Sequence, residues 1–337
     1  LRTTSFFFLL NGFFGEGVIM KKLVIVTLVL ALVSGLVFAQ GSQEAQSAKW
    51  TVGICQLVQH PALDAATQGF KDALIKGLGD DVKIDEQNAS GEAANCSTIV
   101  NGFVAKNVDL ILANATAPLQ AAASATSTIP VLGTSITDYA SALEISGWTG
   151  TVGTNVSGTS DLAPLSEQAS MIKELFPEAK KVGILYCSSE ANSVYQVEEI
   201  EKDLAALSIA TERFSFTDTN DVASVAQKAA DSSDVIYIPT DNTAASNTEA
   251  IANVVIPAKT PVVAGEEGIC AGCGVATLSI SYYDIGYATG EMAVEILKNG
   301  ADVSKMPVQY APQVTKKYNA AICQQLGIEA PEGYVAI

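Results

Sequence analysis

The sequence predicts an α/β fold built as two doubly wound parallel-sheet lobes joined by hinge crossings, on two observations. From Lys49 onward one rhythm repeats: a short run rich in Val, Ile and Leu, a turn, then a longer stretch with apolar residues at helical spacing. Strands buried on both faces read as such unbroken runs, and the helices between them supply the crossovers of a parallel sheet. The rhythm also halts once and restarts, and the roughly 300 residues that carry it suit two lobes of about 120–150 residues better than one core.

In the first half, strands are expected over Trp50–Cys55, Val82–Gln87, Leu110–Ala113 and Pro130–Gly133, with helices over Ala62–Gly77, Glu92–Lys106 and Pro118–Thr126. The second half restarts with strands over Lys181–Tyr186, Ala210–Phe216, Val235–Ile238, Pro261–Ala264 and Val275–Ser279. Helices over Asn192–Leu207, Asp221–Asp231, Thr243–Asn253 and Tyr283–Lys298 fill its gaps. Between the halves, Ser146–Asp161 is rich in Gly, Thr and Ser, which suits a crossing whose backbone must bend. A second crossing is expected after Ser279, and the segment from Val308 to Ile337 is expected to cross again and finish against the first lobe. The expected domains are therefore 40–155, an N-terminal lobe completed by part of the C-terminal segment, 156–280, the C-terminal lobe, and 281–337, a helix with a hinge-crossing terminal segment. Ligands of open α/β sheets sit outside the carboxyl ends of the strands, so two facing sheets make a cleft.

Ahead of these lobes, Met20, Lys21 and Lys22 precede an apolar run from Leu23 to Val33, followed by Ser34, Gly35 and the small-residue site Val37-Phe38-Ala39. That is the pattern of a cleaved secretory signal peptide over 20–39. The run is short for a bilayer span, and the polar stretch from Gln40 to Lys49 offers no stop-transfer pattern. Residues 1–19, with Phe6-Phe7-Phe8, read as an upstream extension from a mis-called start. No cysteine precedes Cys55 to accept a lipid, so the expected location is the periplasm, as a soluble monomer.

The formal net charge of −17 leaves no basic stripe for phosphates, which argues against nucleic acid. His60 is the one histidine, and Arg2 and Arg213 are the only arginines. There is no G-x-S-x-G elbow, no phosphate-binding glycine loop with its lysine, and no metal-ligand cluster, so neither an enzyme nor a cofactor is expected. Cys270 and Cys273 form a lone C-x-x-C, read as a structural disulfide or free thiols rather than half of a zinc site.

Several short motifs follow one another along almost all of the chain after the signal: His60-Pro61-Ala62-Leu63-Asp64 with Gly69-Phe70, Ala115-Thr116-Ala117-Pro118-Leu119-Gln120, Ile129-Pro130-Val131, Thr137-Asp138, and Asn155-Val156-Ser157-Gly158-Thr159-Ser160-Asp161. Glu190-Ala191-Asn192-Ser193, Pro239-Thr240-Asp241-Asn242, and Gly286, Gly290 and Ile296-Leu297 continue the series. In this order and spacing they resemble the ABC-transporter substrate-binding family of the type I periplasmic binding fold, whose members include tryptophan- and phenylalanine-binding proteins. The resemblance implies a Venus flytrap that hands a small molecule to an ABC permease and its ATPase. The missing lipidated cysteine and the Gly268–Cys273 stretch depart from many relatives.

For an aromatic amino acid, the implied ligand, a carboxylate needs donors, and Arg213 falls within a strand pattern away from the strand tips. Thr116, Ala117 and Pro118 end a strand and open a helix, so free amides and the Thr116 hydroxyl are the expected anion site, or else an ordinary N-cap. The ammonium needs a carboxylate: Asp241 is the first candidate, Asp138 and Glu190 compete with it, and each has helix capping as its alternative role. Gln56 is placed to hydrogen-bond a ligand, and His60 reads as a turn residue. Thr137, Asn192, Asn242 and Glu266 complete the expected set. Among the tyrosines near strand ends, Tyr139, Tyr186, Tyr237 and Tyr282, most read as packing, and Tyr186 is the one carried into the set. A sugar or another small molecule is the alternative ligand on the same fold.

Overall fold

A computed structural model describes residues 48–311 and 313–337; the expected signal peptide and upstream extension lie outside the described residues. β1 (Trp50–Gln56), β2 (Val82–Asn88), β3 (Leu110–Asn114), β4 (Val131–Ile136), β5 (Val156–Ser160) and β11 (Gln309–Tyr310) form an all-parallel sheet in the order β11-β5-β4-β3-β1-β2. Central β3 and β4 are buried at every residue, as a strand covered by helices on both faces must be, whereas edge strand β2 carries Lys83, Asp85 and Glu86. One face holds α1 (Pro61–Leu78) and α11 (Tyr282–Asn299), with Phe70, Leu74 and Met292 against Val52, Ile54 and Leu112. The other holds α2 (Ala93–Ala105) and α3 (Thr116–Ala125), with Phe103 and Leu119 against Ile111 and Val131.

The second sheet comprises β6 (Lys181–Cys187), β7 (Ala210–Phe216), β8 (Val235–Ile238), β9 (Val262–Ala264), β10 (Ala276–Ser279), β12 (Thr315–Tyr318) and β13 (Val335–Ala336), in the order β13-β12-β10-β9-β8-β6-β7. Only the β10–β12 pair is antiparallel. α5 (Leu165–Leu175), α6 (Ala191–Ala206) and α12 (Ala320–Leu326) cover one face, and α7 (Val222–Ser232), α9 (Thr248–Ala258) and α10 (Glu267–Cys273) the other. Short helices α4 (Tyr139–Ala142) and α8 (Asn242–Ala245) follow β4 and β8. The helix expected over Thr243–Asn253 is thus two helices, α8 and α9, separated at Ser246–Asn247. All six cysteines are buried free thiols, so the C-x-x-C takes the second of its two expected forms.

The lobe boundaries differ from the expectation in two places. Within the expected crossing, residues 156–160 are β5, a fully buried strand of the first sheet, so that lobe runs past 155. Its residues are small because they are crowded, not because they bend: a Cβ on Gly158 would strike the backbone of Gly133. Thr159 Oγ1 lies 2.9 Å from Thr289 Oγ1 of α11 and 3.2 Å from Thr134 Oγ1. The terminal segment crosses as expected but ends on the second lobe, since β11 edges the first sheet while β12 and β13 join the second. Chain therefore passes between the lobes after β5, after β10 and between β11 and β12, and α11 belongs to the first lobe.

Candidate functional site

The carboxyl ends of both sheets face each other across the crossings, and the lobes touch there. His60 Nε2 of the first lobe lies 3.2 Å from Asn242 Oδ1 of the second, and Gln196 Nε2 on α6 donates to Thr137 Oγ1 at 3.4 Å.

On the first-lobe wall, Gln56 is turned inward. Its Oε1 accepts from the Thr67 hydroxyl at 2.6 Å, and its Nε2 donates to Asp64 Oδ1 at 2.7 Å and Val58 O at 2.9 Å. That triangle shapes the β1–α1 loop and commits both Nε2 hydrogens of Gln56. The loop delivers His60 to the N-cap position of α1, with Pro61 opening the helix. His60 is 6 % exposed, its Nδ1 has no partner, and burial holds its pKa below the usual value.

After β3 the chain turns through Ala115 at φ 98° and enters α3 with no side-chain cap. The first amides of a helix have no intrahelical acceptor, and Thr116 Oγ1 beside them is buried with no partner. Ala117 and Pro118 continue the first turn, as the sequence suggests. Thr137 donates to Asp161 Oδ1 at 3.3 Å. Asp138 instead caps α4, accepting from Ser141 N at 2.7 Å.

On the second-lobe wall Asp241 takes the capping role that was its alternative. Asp241 accepts from Cys187 N at 2.6 Å, Ser193 Oγ at 2.7 Å and Ala244 N at 2.8 Å, all within its own lobe. Burial, with Glu190 next, pushes its pKa up to about 7. Glu190 is equally committed: Oε1 takes the Thr243 amide and hydroxyl at 2.8 and 2.7 Å, and Oε2 takes Asn242 N at 3.0 Å, Asn242 Nδ2 at 2.6 Å and Asn192 Nδ2 at 3.1 Å. Both carboxylates build the β8–α8 loop that presents Asn242, while Asn192 ties it to Thr240 O at 3.1 Å. Tyr186 lies in the core with Val197 and Ile200 and offers no stacking surface to the cleft. Asp241→Ala is accordingly expected to lower stability by about 3 kcal/mol, since three donors lose a buried acceptor. A melting curve superimposable on the wild type would contradict this.

The carboxylate that fits a ligand cation is one the motifs contained but did not single out. Asp161, first residue after β5, is 3 % exposed, and among the described residues its side chain accepts from two hydroxyls, Thr137 and Tyr282 (2.9 Å), and from no cation. Burial raises its pKa from 3.8 to about 6. Glu266, also 3 % exposed, caps α10 through Gly268 N at 2.6 Å and Ile269 N, and burial lifts it to about 7. Asp161 adds to that rise, so the two buried acids lie near each other on one wall beside the crossings. The signal for Asp161 was positional: an acid directly after a strand and at the start of a crossing. A cavity of about 740 Å³ borders this wall on the α1–α10 side, sharing Glu266 and Tyr282 with it.

This geometry, two parallel sheets with buried uncommitted polar groups where their carboxyl ends meet, is that of a ligand-binding protein, and the comparisons place it. The family described as ABC transporter substrate binding protein matches residues 51–336, and the chain belongs to that family. A tyrosine-binding protein of Clostridioides difficile is 36 % identical over 260 residues, covering 76 % of this chain and 75 % of the relative. A domain from Streptococcus pneumoniae solved in complex with L-Trp is 34 % identical with a TM-score of 0.82, over 86 % of this chain and 100 % of that one. A ligand-free, open substrate-binding protein with adhesive properties from Clostridium difficile is 36 % identical, over 86 % and 99 % of the two chains, with a TM-score of 0.66. In the present chain the lobes touch at the His60–Asn242 contact.

Proposed function

We propose that the protein is the exported solute-binding component of an ABC importer and clamps an aromatic amino acid between its lobes. The observation that carries this is the pairing of opposite needs in one cleft: among the described residues, Asp161 is buried without a cation, and Thr116 Oγ1, at the opening of α3, is buried without a partner. A zwitterionic head answers both, its ammonium donating to Asp161 and its carboxylate accepting from Thr116. β4 alone separates β3 from β5, which puts the two anchors about 10 Å apart by strand spacing. Two hydrogen bonds of about 3 Å leave room for the head of an α-amino acid between them.

The tyrosine-binding relative and the complex with L-Trp support an aromatic side chain. A ligand bridging both walls favours the closed arrangement through its greater affinity for it, and the closed protein then docks on the permease that works with its ATPase. The signal-peptide pattern over 20–39 supports release into the periplasm. In a thermal-shift panel, tyrosine, tryptophan or phenylalanine is expected to raise the melting temperature, while sugars and polyamines leave it unchanged. A rise with sugars alone would replace the amino acid by the alternative ligand.

A further inference from the structure

The imidazole of His60 is wired across the cleft so that one nitrogen is left as a buried acceptor. Asn242 Nδ2 donates to Glu190 Oε2 at 2.6 Å, and a carboxylate can only accept, so the Asn242 Oδ1 end is the one that meets His60. His60 Nε2 must then carry the proton. Burial favours the neutral ring, and a neutral imidazole has a single N–H, which makes Nδ1 a lone-pair acceptor with no partner among the described residues.

In strand order β5-β4-β3-β1, Asp161 follows β5, Thr116 follows β3 and His60 follows β1. In sheet order the His60 loop therefore lies on the far side of the carboxylate anchor from Asp161. With the ammonium committed to Asp161 and the carboxylate to Thr116, the donor that satisfies it belongs to the ligand's side chain. We infer that His60 Nδ1 selects aromatic amino acids bearing a hydrogen-bond donor on the ring, a phenol O–H or an indole N–H, over phenylalanine. A site built to hydrogen-bond such a group rejects the analogue that lacks it, because its buried acceptor is then left unpaired. The inference rests on the proposed amino-acid site and goes further by naming the side-chain class.

Because His60 is the sole histidine, an untagged protein gives one imidazole in a ¹⁵N spectrum. Calorimetry with L-tyrosine, L-tryptophan and L-phenylalanine is expected to show tyrosine or tryptophan binding at least about tenfold more tightly than phenylalanine. In His60→Leu that gap should close to within about twofold, with phenylalanine binding retained. Should the variant fail to fold, the wild-type spectrum decides: the preferred ligand must shift the Nδ1 resonance and phenylalanine must not. Equal affinity for all three, or an Nδ1 signal indifferent to the preferred ligand, overturns the inference and leaves the amino-acid site standing. Binding of none of the three removes both.

Discussion

Asp161→Asn is expected to weaken aromatic amino-acid binding by roughly 100-fold or more, the cost of removing one partner from a buried charge pair. The substitution keeps size and shape, so it separates charge from packing. The same variant should be at least as stable as the wild type without ligand, and the titration of Asp161 gives the sign. The folded-state pKa of Asp161 is raised, from 3.8 to about 6, so the native protein binds this proton more tightly than the unfolded chain. Its contribution is therefore fully present below about pH 4 and is lost as pH rises to 6, a change of roughly 3 kcal/mol. In the Asp161→Asn variant that part of the pH dependence should vanish. Unaltered ligand affinity would move the ammonium elsewhere, and Glu266 on the same wall would be the next residue to change.

Gly286→Val is expected to cost about 3 kcal/mol, enough to lower the melting temperature by roughly 10 °C. In an isolated helix, removing a glycine favours the helical state. Here α11 rests backbone to backbone on α1: a Cβ at Gly286 would fall on the carbonyl of Ala66, 2.6 Å from its carbon, and one at Gly69 would meet Tyr283 and Tyr287 backbone atoms. The helices must part to admit any side chain, and α11 opens with Tyr282, the hydroxyl that donates to Asp161. Lower affinity is thus expected alongside lower stability. A melting temperature at or above the wild type would show that the α1–α11 contact is looser than described.

The strands with unbroken Val, Ile and Leu runs were legible because burial on both faces leaves no other composition available. Each expected strand, from the one at Trp50 to the one at Val275, begins within one residue of its observed start. β5 was not legible as a strand, because its interior position under α11 demands Gly158 and Thr159, residues that on their own signal a bend. Thr116 at the opening of α3 could be read from the strand–helix junction alone. The acids could not be ranked that way. Asp241, Glu190 and Asp161 all follow strands, and only their donors tell them apart: three for Asp241, five for Glu190, two hydroxyls for Asp161. Likewise His60 reads as a turn residue until Asn242, far along the chain, is seen to fix its tautomer.

The most direct test of the central claim is isothermal titration calorimetry of the chain from Gln40 onward with L-tyrosine and L-tryptophan at pH 7.5. One ligand per protein is expected, with the negative heat-capacity change of buried apolar surface, and loss of that binding in Asp161→Asn. Heat with a sugar but with neither amino acid, or full-strength binding in Asp161→Asn, would contradict it.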